Sequence, residues 1–352
     1  MINKKILVVT SELKFSGPNN VIRYLVNEFV GKGDYNIHIA ALRKRVDKRY
    51  IEELHVEDNN IHVQNGISSI FYLFYVVLKL KPAVVNTHGI RADLFIFMLS
   101  FLLRFKQVAT VHNIPHEDYA MRYGRFVGSI MLFFHSFVFK STKVKKVTVS
   151  RHARDSLINT GHAKNVAYVY NGVYCHDFER DRRLSSYGPK TVNILFCGHL
   201  TEIKNPLAVA TVASENPSYI FTMLGEGPLR KELESLNISN LVVKGRVPNV
   251  KDYLSEADVF IMPSRTEGMP MAIIEAMLMG LPIVCSDIPI FRELSKIEDI
   301  ALFTFSTEVP GDFSTKIKLA LTFKHNSNRD IALKYFSSEV MMSGYVRVIN
   351  DW

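Results

Sequence analysis

Residues 259–286 read VFIMPSRTEGMPMAIIEAMLMGLPIVCS. Val259–Pro263 is an apolar run of strand length, and a polar turn containing Gly268 follows it. Pro270–Met279 repeats apolar residues at helical spacing, and Gly280 and Pro282 break that pattern before a second apolar run, Pro282–Ser286. Strand, helix and strand in so short a space make a parallel βαβ unit, because parallel strands need a crossover and a helix supplies it.

The same alternation extends outward. Upstream it predicts strands at Val192–Cys197, Tyr219–Leu224 and Leu241–Lys244, with helices at Pro206–Ser214, Pro228–Leu236 and Val250–Ala257 between them. The N-terminal half has its own series. Strands are predicted at Lys5–Thr10, Asn36–Leu42, Ala83–Thr87, Val108–His112, Lys146–Ser150 and Val166–Tyr170, with a helix after the Gly17-Pro18 turn and further helices at Ile67–Leu80 and Ala92–Leu103. Between the two series, Cys175–Lys190 turns polar and irregular and carries the breaker pair Gly188-Pro189. The expected architecture is α/β, with two Rossmann-like parallel-sheet domains facing one another across a cleft. Residues 1–174 form the first, 175–190 the linker, 191–335 the second, and 336–352 a terminal helical segment.

Composition agrees with this reading. The 352 residues, 47% hydrophobic and 22% charged, are enough for two cored domains and are far from a disordered chain. Lys and Arg outnumber Asp and Glu by 43 to 34, and the resulting charge of +9 predicts attraction to polyanions. No zinc-finger spacing, RNA-binding signature or aromatic-interleaved basic stripe directs that charge to nucleic acid. Three cysteines, Cys175, Cys197 and Cys285, are too few for a disulfide framework and point to a reducing, cytoplasmic compartment. The N-terminal apolar run is too short for a signal peptide and reads as a first strand. Ile67–Leu80, Ala92–Leu103 and Phe126–Phe139 are the longest apolar stretches, well short of the roughly 20 residues of a membrane span, so they are expected as buried or surface-lying helices.

In open parallel sheets ligands bind beyond the carboxyl ends of the strands, where helix amides point at anions. The loop Gly225-Glu226-Gly227-Pro228-Leu229-Arg230 has the first two glycines of a dinucleotide fingerprint but Arg in place of the third, and the Walker GK[ST] ending is absent. Glu267 and Glu275 are eight apart, a spacing that in a helix puts two carboxylates on roughly one side. Taken alone, Glu275 reads more readily as a solvated residue of an amphipathic helix. Lys204, in the stretch FCGHLTEIKNP after another strand, stands where a cation meets an anion, although a lone loop Lys is usually just solvated. His112 follows an apolar strand, either as a site residue or as a satisfied core histidine.

Residues 263–286, Gly198–Pro206, the GEGPLR stretch and Asn171-Gly172-Val173 together resemble the retaining, nucleotide-sugar-dependent glycosyltransferases of the large family numbered four, as found in bacterial polysaccharide and O-antigen synthesis. Their signature is Glu, seven residues, Glu, in an EGxP…EAM…G.P context. The match runs in order through Gly17, KPAVVNTHG and ATVHN. The resemblance implies the glycosyltransferase-B fold, with the last helix, around Glu339–Trp352, crossing back to the first domain. It also implies roles for residues. Lys204 would bind the donor diphosphate, and Glu275 the ribose hydroxyls. Glu267, with the backbone of Gly268 and Met269, would contact the donor sugar, and amides of the helix beginning at Pro270 would hold phosphate. His112 would reach the reacting sugar, and the Gly17 loop would allow close approach to the diphosphate. Two positions depart from the family pattern: His199 replaces a frequent second cation, and Gly17-Pro18-Asn19-Asn20 replaces a glycine pair.

The expected reaction is retaining transfer of a hexose or N-acetylhexosamine from a nucleotide sugar, with uridine diphosphate preferred over guanosine diphosphate. No cofactor and no metal are expected, since no Asp-x-Asp pair is evident in the sequence. The acceptor would be a saccharide, polyprenyl-diphosphate-linked if the chain sits on a membrane. Lys140, Lys143, Lys145, Lys146, Arg151 and Arg154 follow the apolar run Phe126–Phe139 and suit peripheral contact with an anionic inner membrane; the alternative is a solvated basic face. The rival readings are an epimerase or phosphorylase on the same fold, which would turn over donor without a saccharide acceptor, and a non-catalytic anion-binding protein.

Overall fold

The structure is a computed structural model and describes residues 4–43, 45–64, 68–178, 191–323 and 327–351. It divides into two compact units, Met1–Val173 with Ser337–Trp352, and Tyr174–Phe336. Most of the expected linker lies outside the described residues, and Cys175–Phe178 form a single 3-10 turn.

The first unit contains β1 (Lys4–Thr10), α1 (Gly17–Lys32), β2 (Tyr35–Ala41), α2 (Lys48–Glu52), β3 (Ile61–Val63), α3 (Ser68–Leu80) and β4 (Val84–His88). It continues with α4 (Ile90–Leu99), β5 (Lys106–Val111), α5 (Pro115–Tyr123), α6 (Arg125–Lys140), β6 (Val144–Thr148), α7 (Arg151–Asn159) and β7 (Val166–Tyr168). All pairings in its seven-stranded sheet are parallel, in the order β3-β2-β1-β4-β5-β6-β7. The local chemistry of α1 is typical of these helices. Ser16 caps it by accepting from the Asn19 amide, Pro18 sits in its first turn, and Gly33, at φ 74°, ends it in the left-handed region.

The second unit contains β8 (Val192–Cys197), α8 (Pro206–Glu215), β9 (Tyr219–Leu224), α9 (Arg230–Ser235), β10 (Leu241–Gly245), α10 (Val250–Glu256) and β11 (Val259–Met262). Next come α11 (Met271–Leu278), β12 (Ile283–Ser286), α12 (Pro289–Leu294), β13 (Leu302–Phe305), α13 (Asp312–Thr322) and α14 (Asn328–Phe336). Its six strands are also parallel, in the order β10-β9-β8-β11-β12-β13. The final helix, α15 (Ser338–Asn350), returns to the first unit, where it packs on α1. There Tyr345 hydroxyl meets Thr110 Oγ1 at 3.0 Å, and a Cβ on Gly344 would lie 2.8 Å from Val169.

Right-handed crossovers place helices on either face of each sheet. In the first unit the direction of strand addition reverses between β1 and β4, and in the second between β8 and β11. At such a reversal the following helices leave on opposite faces and open a crevice at the strand ends.

The edge of the second sheet depends on one side chain. Buried Asn328 donates to Leu281 O at 2.8 Å and Ala301 O at 3.1 Å, and accepts from the Ala301 amide at 2.8 Å. Asn328→Leu removes the partner of the buried Ala301 amide and the side-chain donor to Leu281 O, while Ala301 O keeps its bond from the Ile283 amide at 2.9 Å. Urea titration of the variant is expected to lose about 2–4 kcal/mol of stability, and a wild-type midpoint would show that the three bonds are dispensable.

Candidate active site

The reversal between β8 and β11 puts two loops side by side. Arg265 N, in the loop after β11, donates to Ile203 O of the loop after β8 at 2.8 Å. Across this join Lys204 Nζ contacts Glu267 Oε1, and Ser264 Oγ donates to the same oxygen at 2.8 Å. Glu267 is largely buried and Lys204 is partly so. Glu267 stands five residues past the end of β11 and outside the helix, so its eight-residue separation from Glu275 is not a helical spacing. Glu275 lies inside α11, and Pro270 caps that helix with extended backbone, φ −76° and ψ 125°. Gly268, Met269 and Pro270 are buried along the approach to it. The first amides of α11 have no partner within the helix, so they form an anion-favouring end near Glu267.

The loop after β8 is held by backbone contacts. Gly198 N donates to Leu224 O at 2.9 Å, Leu200 N to Glu226 O at 3.0 Å, and Leu229 N to Leu200 O at 3.1 Å. A Cβ on Gly225, whose φ is +140°, would lie 1.9 Å from Gly198 O, and one on Gly227 2.3 Å from Leu200 O. These two glycines therefore serve close contact with the neighbouring loop, which accounts for the partial dinucleotide fingerprint. Lys204 is followed by Asn205 at φ 50°, a left-handed residue ahead of Pro206. Asn tolerates that conformation, and the α region is closed to a residue before proline. His199 is exposed, with Nδ1 3.3 Å from Glu226 O. A carbonyl only accepts, so Nδ1 carries the proton, and Nε2 can donate to an anion only when the ring is protonated. Cys197, next to this loop, has its thiol pushed up to about 12, by burial first and by the Glu275 carboxylate second. It is chemically quiet.

Gly17 and His112 lie in the first unit and the Lys204 cluster in the second. Gly17 opens α1 just beyond β1, and a Cβ there would meet nothing within 4 Å. The departure from a glycine pair has a structural role. Asn19 donates to Glu12 O at 3.0 Å and Lys14 O at 2.7 Å, so its buried side chain fixes the loop ahead of Gly17.

His112 follows β5 and ends a directed chain of hydrogen bonds. Asn86 Nδ2 donates to Val108 O and Thr110 Oγ1, each at 3.0 Å, which fixes the orientation of its amide. Its Oδ1 must then accept from His88 Nε2, at 2.9 Å. His88 Nδ1 is left as an acceptor and takes the Nε2 proton of His112, at 2.8 Å. Two neutral rings satisfy this sequence, and His112 Nδ1 is the nitrogen left bare. Burial pushes His112 down to about 4 and His88 well below the usual imidazole range, and His112 adds to the shift of His88.

Asn205, Ser264 and the Asn86–His88 chain are not singled out by the sequence, and Asn19 was noted there only as a departure from a glycine pair. Only the Asn-Pro dipeptide at Asn205 and the histidine in KPAVVNTHG offered a signal.

Comparison with known proteins bears on the fold and the class of protein. The family described as Glycosyl transferases group 1 matches residues 191–322, all within the second unit. The O-antigen biosynthesis glycosyltransferase WclY of Escherichia coli is 26% identical over 379 aligned positions, covering 99% of this chain and 98% of the relative. The UDP-Gal:alpha-D-GlcNAc-diphosphoundecaprenol alpha-1,3-galactosyltransferase of Escherichia coli is 26% identical over 65% of this chain and 64% of that one. Among solved structures, sucrose-phosphate synthase from Thermosynechococcus elongatus superposes with a TM-score of 0.83 at 14% identity, covering 99% of both chains. HepE of Anabaena, in complex with UDP and glucose, gives 0.82 at 14% identity, covering 99% of this chain and 100% of that one. The fold is the two-domain glycosyltransferase-B fold. The chain is a glycosyltransferase of that type, resembling those of bacterial O-antigen and surface-polysaccharide synthesis.

Nitrogen-detected NMR of the imidazoles tests the directed chain: His112 is expected as the Nε2–H tautomer at neutral pH, and an Nδ1–H signal would overturn the assignment. The sign of its linkage to folding follows from the lowered value. His112 stabilises the first unit fully above about pH 6.5, and the contribution falls away as pH drops towards 4, by on the order of 1–2 kcal/mol at pH 5.

Proposed function

We propose that the chain transfers a hexose or N-acetylhexosamine from a uridine-diphosphate sugar to a lipid-linked saccharide, with retention of anomeric configuration and without a metal. The observation that carries this reading is the Lys204–Glu267–Ser264 cluster at the strand reversal of the second unit, beside the start of α11. As the bond to C1 breaks, charge develops on the departing diphosphate. Lys204 and the α11 amides are fixed positive potential aimed at an anion, the preorganised electrostatics that lowers such a barrier. Glu267 neutralises Lys204 in the structure. With donor present, the diphosphate takes over the ammonium and Glu267 turns to the sugar hydroxyls.

Glu275 serves the ribose, Gly268, Met269 and Pro270 the sugar and phosphate by their backbone, and Gly17, with no Cβ, leaves room for a phosphate oxygen at the start of α1. His112, with a bare Nδ1, accepts from a sugar hydroxyl. The leaving phosphate itself takes the acceptor proton on the same face. The preference for UDP is supported by HepE, whose structures contain UDP and UDP-glucose, and by the UDP-Gal-dependent relative. The lipid-linked acceptor is supported by the diphosphoundecaprenol in that relative's name. Placement on the cytoplasmic side follows from the scarcity of cysteine.

Lys204→Ala and Glu267→Ala are expected to lower transfer at least a hundredfold with unchanged circular dichroism. Near-normal turnover in either would remove that residue from the mechanism. Chelation with EDTA is expected to leave turnover unchanged, and NMR of the product to show the donor's anomeric configuration. His199→Arg supplies a permanent second cation, and calorimetry is expected to find UDP bound about tenfold more tightly, ~1.4 kcal/mol.

A further inference from the structure

The exposed apolar surface of the first unit lies outside the residues assigned to the candidate site. Its clearest component is α6, which is inverted relative to an ordinary surface helix. Its inward residues include Gly128 and His135, whereas Phe126, Val127, Ile130, Phe133, Phe134 and Phe137 point outward, Phe126 with 79% of its surface open. The rotation is fixed by buried polar bonds. His135 Nε2 lies 2.9 Å from Asp93 Oδ2 on α4, and its Nδ1 lies 2.8 Å from the Tyr119 hydroxyl on α5. Gly128 adds a steric lock, since a Cβ there would lie 2.7 Å from the α5 backbone. Turning α6 to hide its phenylalanines would break the buried His135–Asp93 pair and leave Asp93 with the Thr87 hydroxyl.

The surface continues onto neighbouring helices. β3→β4, β4→β5 and β5→β6 all cross over in one direction, so α3, α4 and α6 share one face of the sheet. Beyond α4, Phe101 and Leu102 are exposed, Leu102 at 76%, and on α3 Phe71, Tyr75 and Leu78 form an outward stripe at helical spacing.

The charge around this surface has one sign. Residues 59–154 contain 13 Lys and Arg against three acids, Asp93, Glu117 and Asp118, a net +10, so the other 256 residues together carry −1. Asp93 is buried with His135, and Asp118 is bound to Arg122 at 3.0 Å. Lys143 Nζ stands 4.7 Å from the Phe101 ring centroid, which places a cation at the rim of the apolar patch, and Arg125 and Lys140 bracket α6. Lys146, expected in the basic cluster, is instead buried and donates to Ser141 O at 3.1 Å, while Arg151 and Arg154 rest on Tyr168 away from α6.

We infer that the outer face of α3, α4 and α6 docks on an anionic lipid surface, with the aromatic rings in the interface and Arg125, Lys140 and Lys143 against the headgroups. No helix among the described residues is long and apolar enough to cross a membrane, so the helices lie along it. A second copy of the chain is the poorer occupant, because a two-fold contact would oppose this positive rim to itself. The inference is independent of the donor and of the transfer chemistry.

Flotation of the full chain with phosphatidylcholine vesicles, with and without one-third phosphatidylglycerol, tests it. Binding is expected to need the anionic lipid and to weaken at least tenfold in high salt. The triple variant Phe126→Ser, Phe133→Ser, Phe137→Ser should bind at least tenfold less with an unchanged melting curve, and Lys140→Glu with Lys143→Glu should remove most of the salt dependence. Both variants should retain transfer to a water-soluble acceptor, which separates failure of docking from failure of the catalytic reading. Absence of binding, binding indifferent to these substitutions, or a dimer in sedimentation that the triple variant dissolves would overturn the inference.

Discussion

Two backbones touch where the loop after β9 crosses the loop after β8, and much of the second unit's site rests on that contact. Gly225 and Gly227 have no Cβ because Gly198 O and Leu200 O occupy the space. Three backbone hydrogen bonds then stitch the crossing. A loop so held presents Lys204 from a fixed base, with Asn205 and Pro206 turning the chain into α8 immediately behind it. Preorganisation of this kind matters because a cation that must be gathered from solution at the moment of reaction contributes little.

The two units handle charge differently. In the second, an ammonium and a carboxylate neutralise each other at the strand reversal. In the first, the strand ends beside the reversal carry neutral imidazoles in a directed chain from Asn86 to His112, held uncharged by burial. A neutral ring with a known bare nitrogen discriminates hydroxyl from anion, which a protonated ring does not.

The sheet pattern was legible because parallel strands buried on both faces are continuous apolar runs, and all six strand expectations in β8–β12 and β1 fall within a residue or two of the observed limits. Short elements were not legible. β3 is three residues of mixed character, and α2 is a single capped turn. Glu267 was found from its motif, but its partner Ser264 carries no pattern, and the helical reading of the Glu267–Glu275 spacing fails because Glu267 belongs to a loop. α6 was legible as an apolar helix, while its outward-facing aromatics were not, since periodicity assigns apolar residues to the core.

The sequence by itself determined the two strand–helix series, the excess of positive charge and the residue types in the loops after the strands, because each is a property of short windows or of counting. Only the tertiary structure decided which groups meet. Lys204 and Glu267 are 63 positions apart and join because β8 and β11 are neighbours. His88 and His112 join because β4 and β5 are in register. The face that α6 turns inward is the one that carries His135, which meets Asp93, 42 positions away in the chain, because α4 and α6 pack side by side.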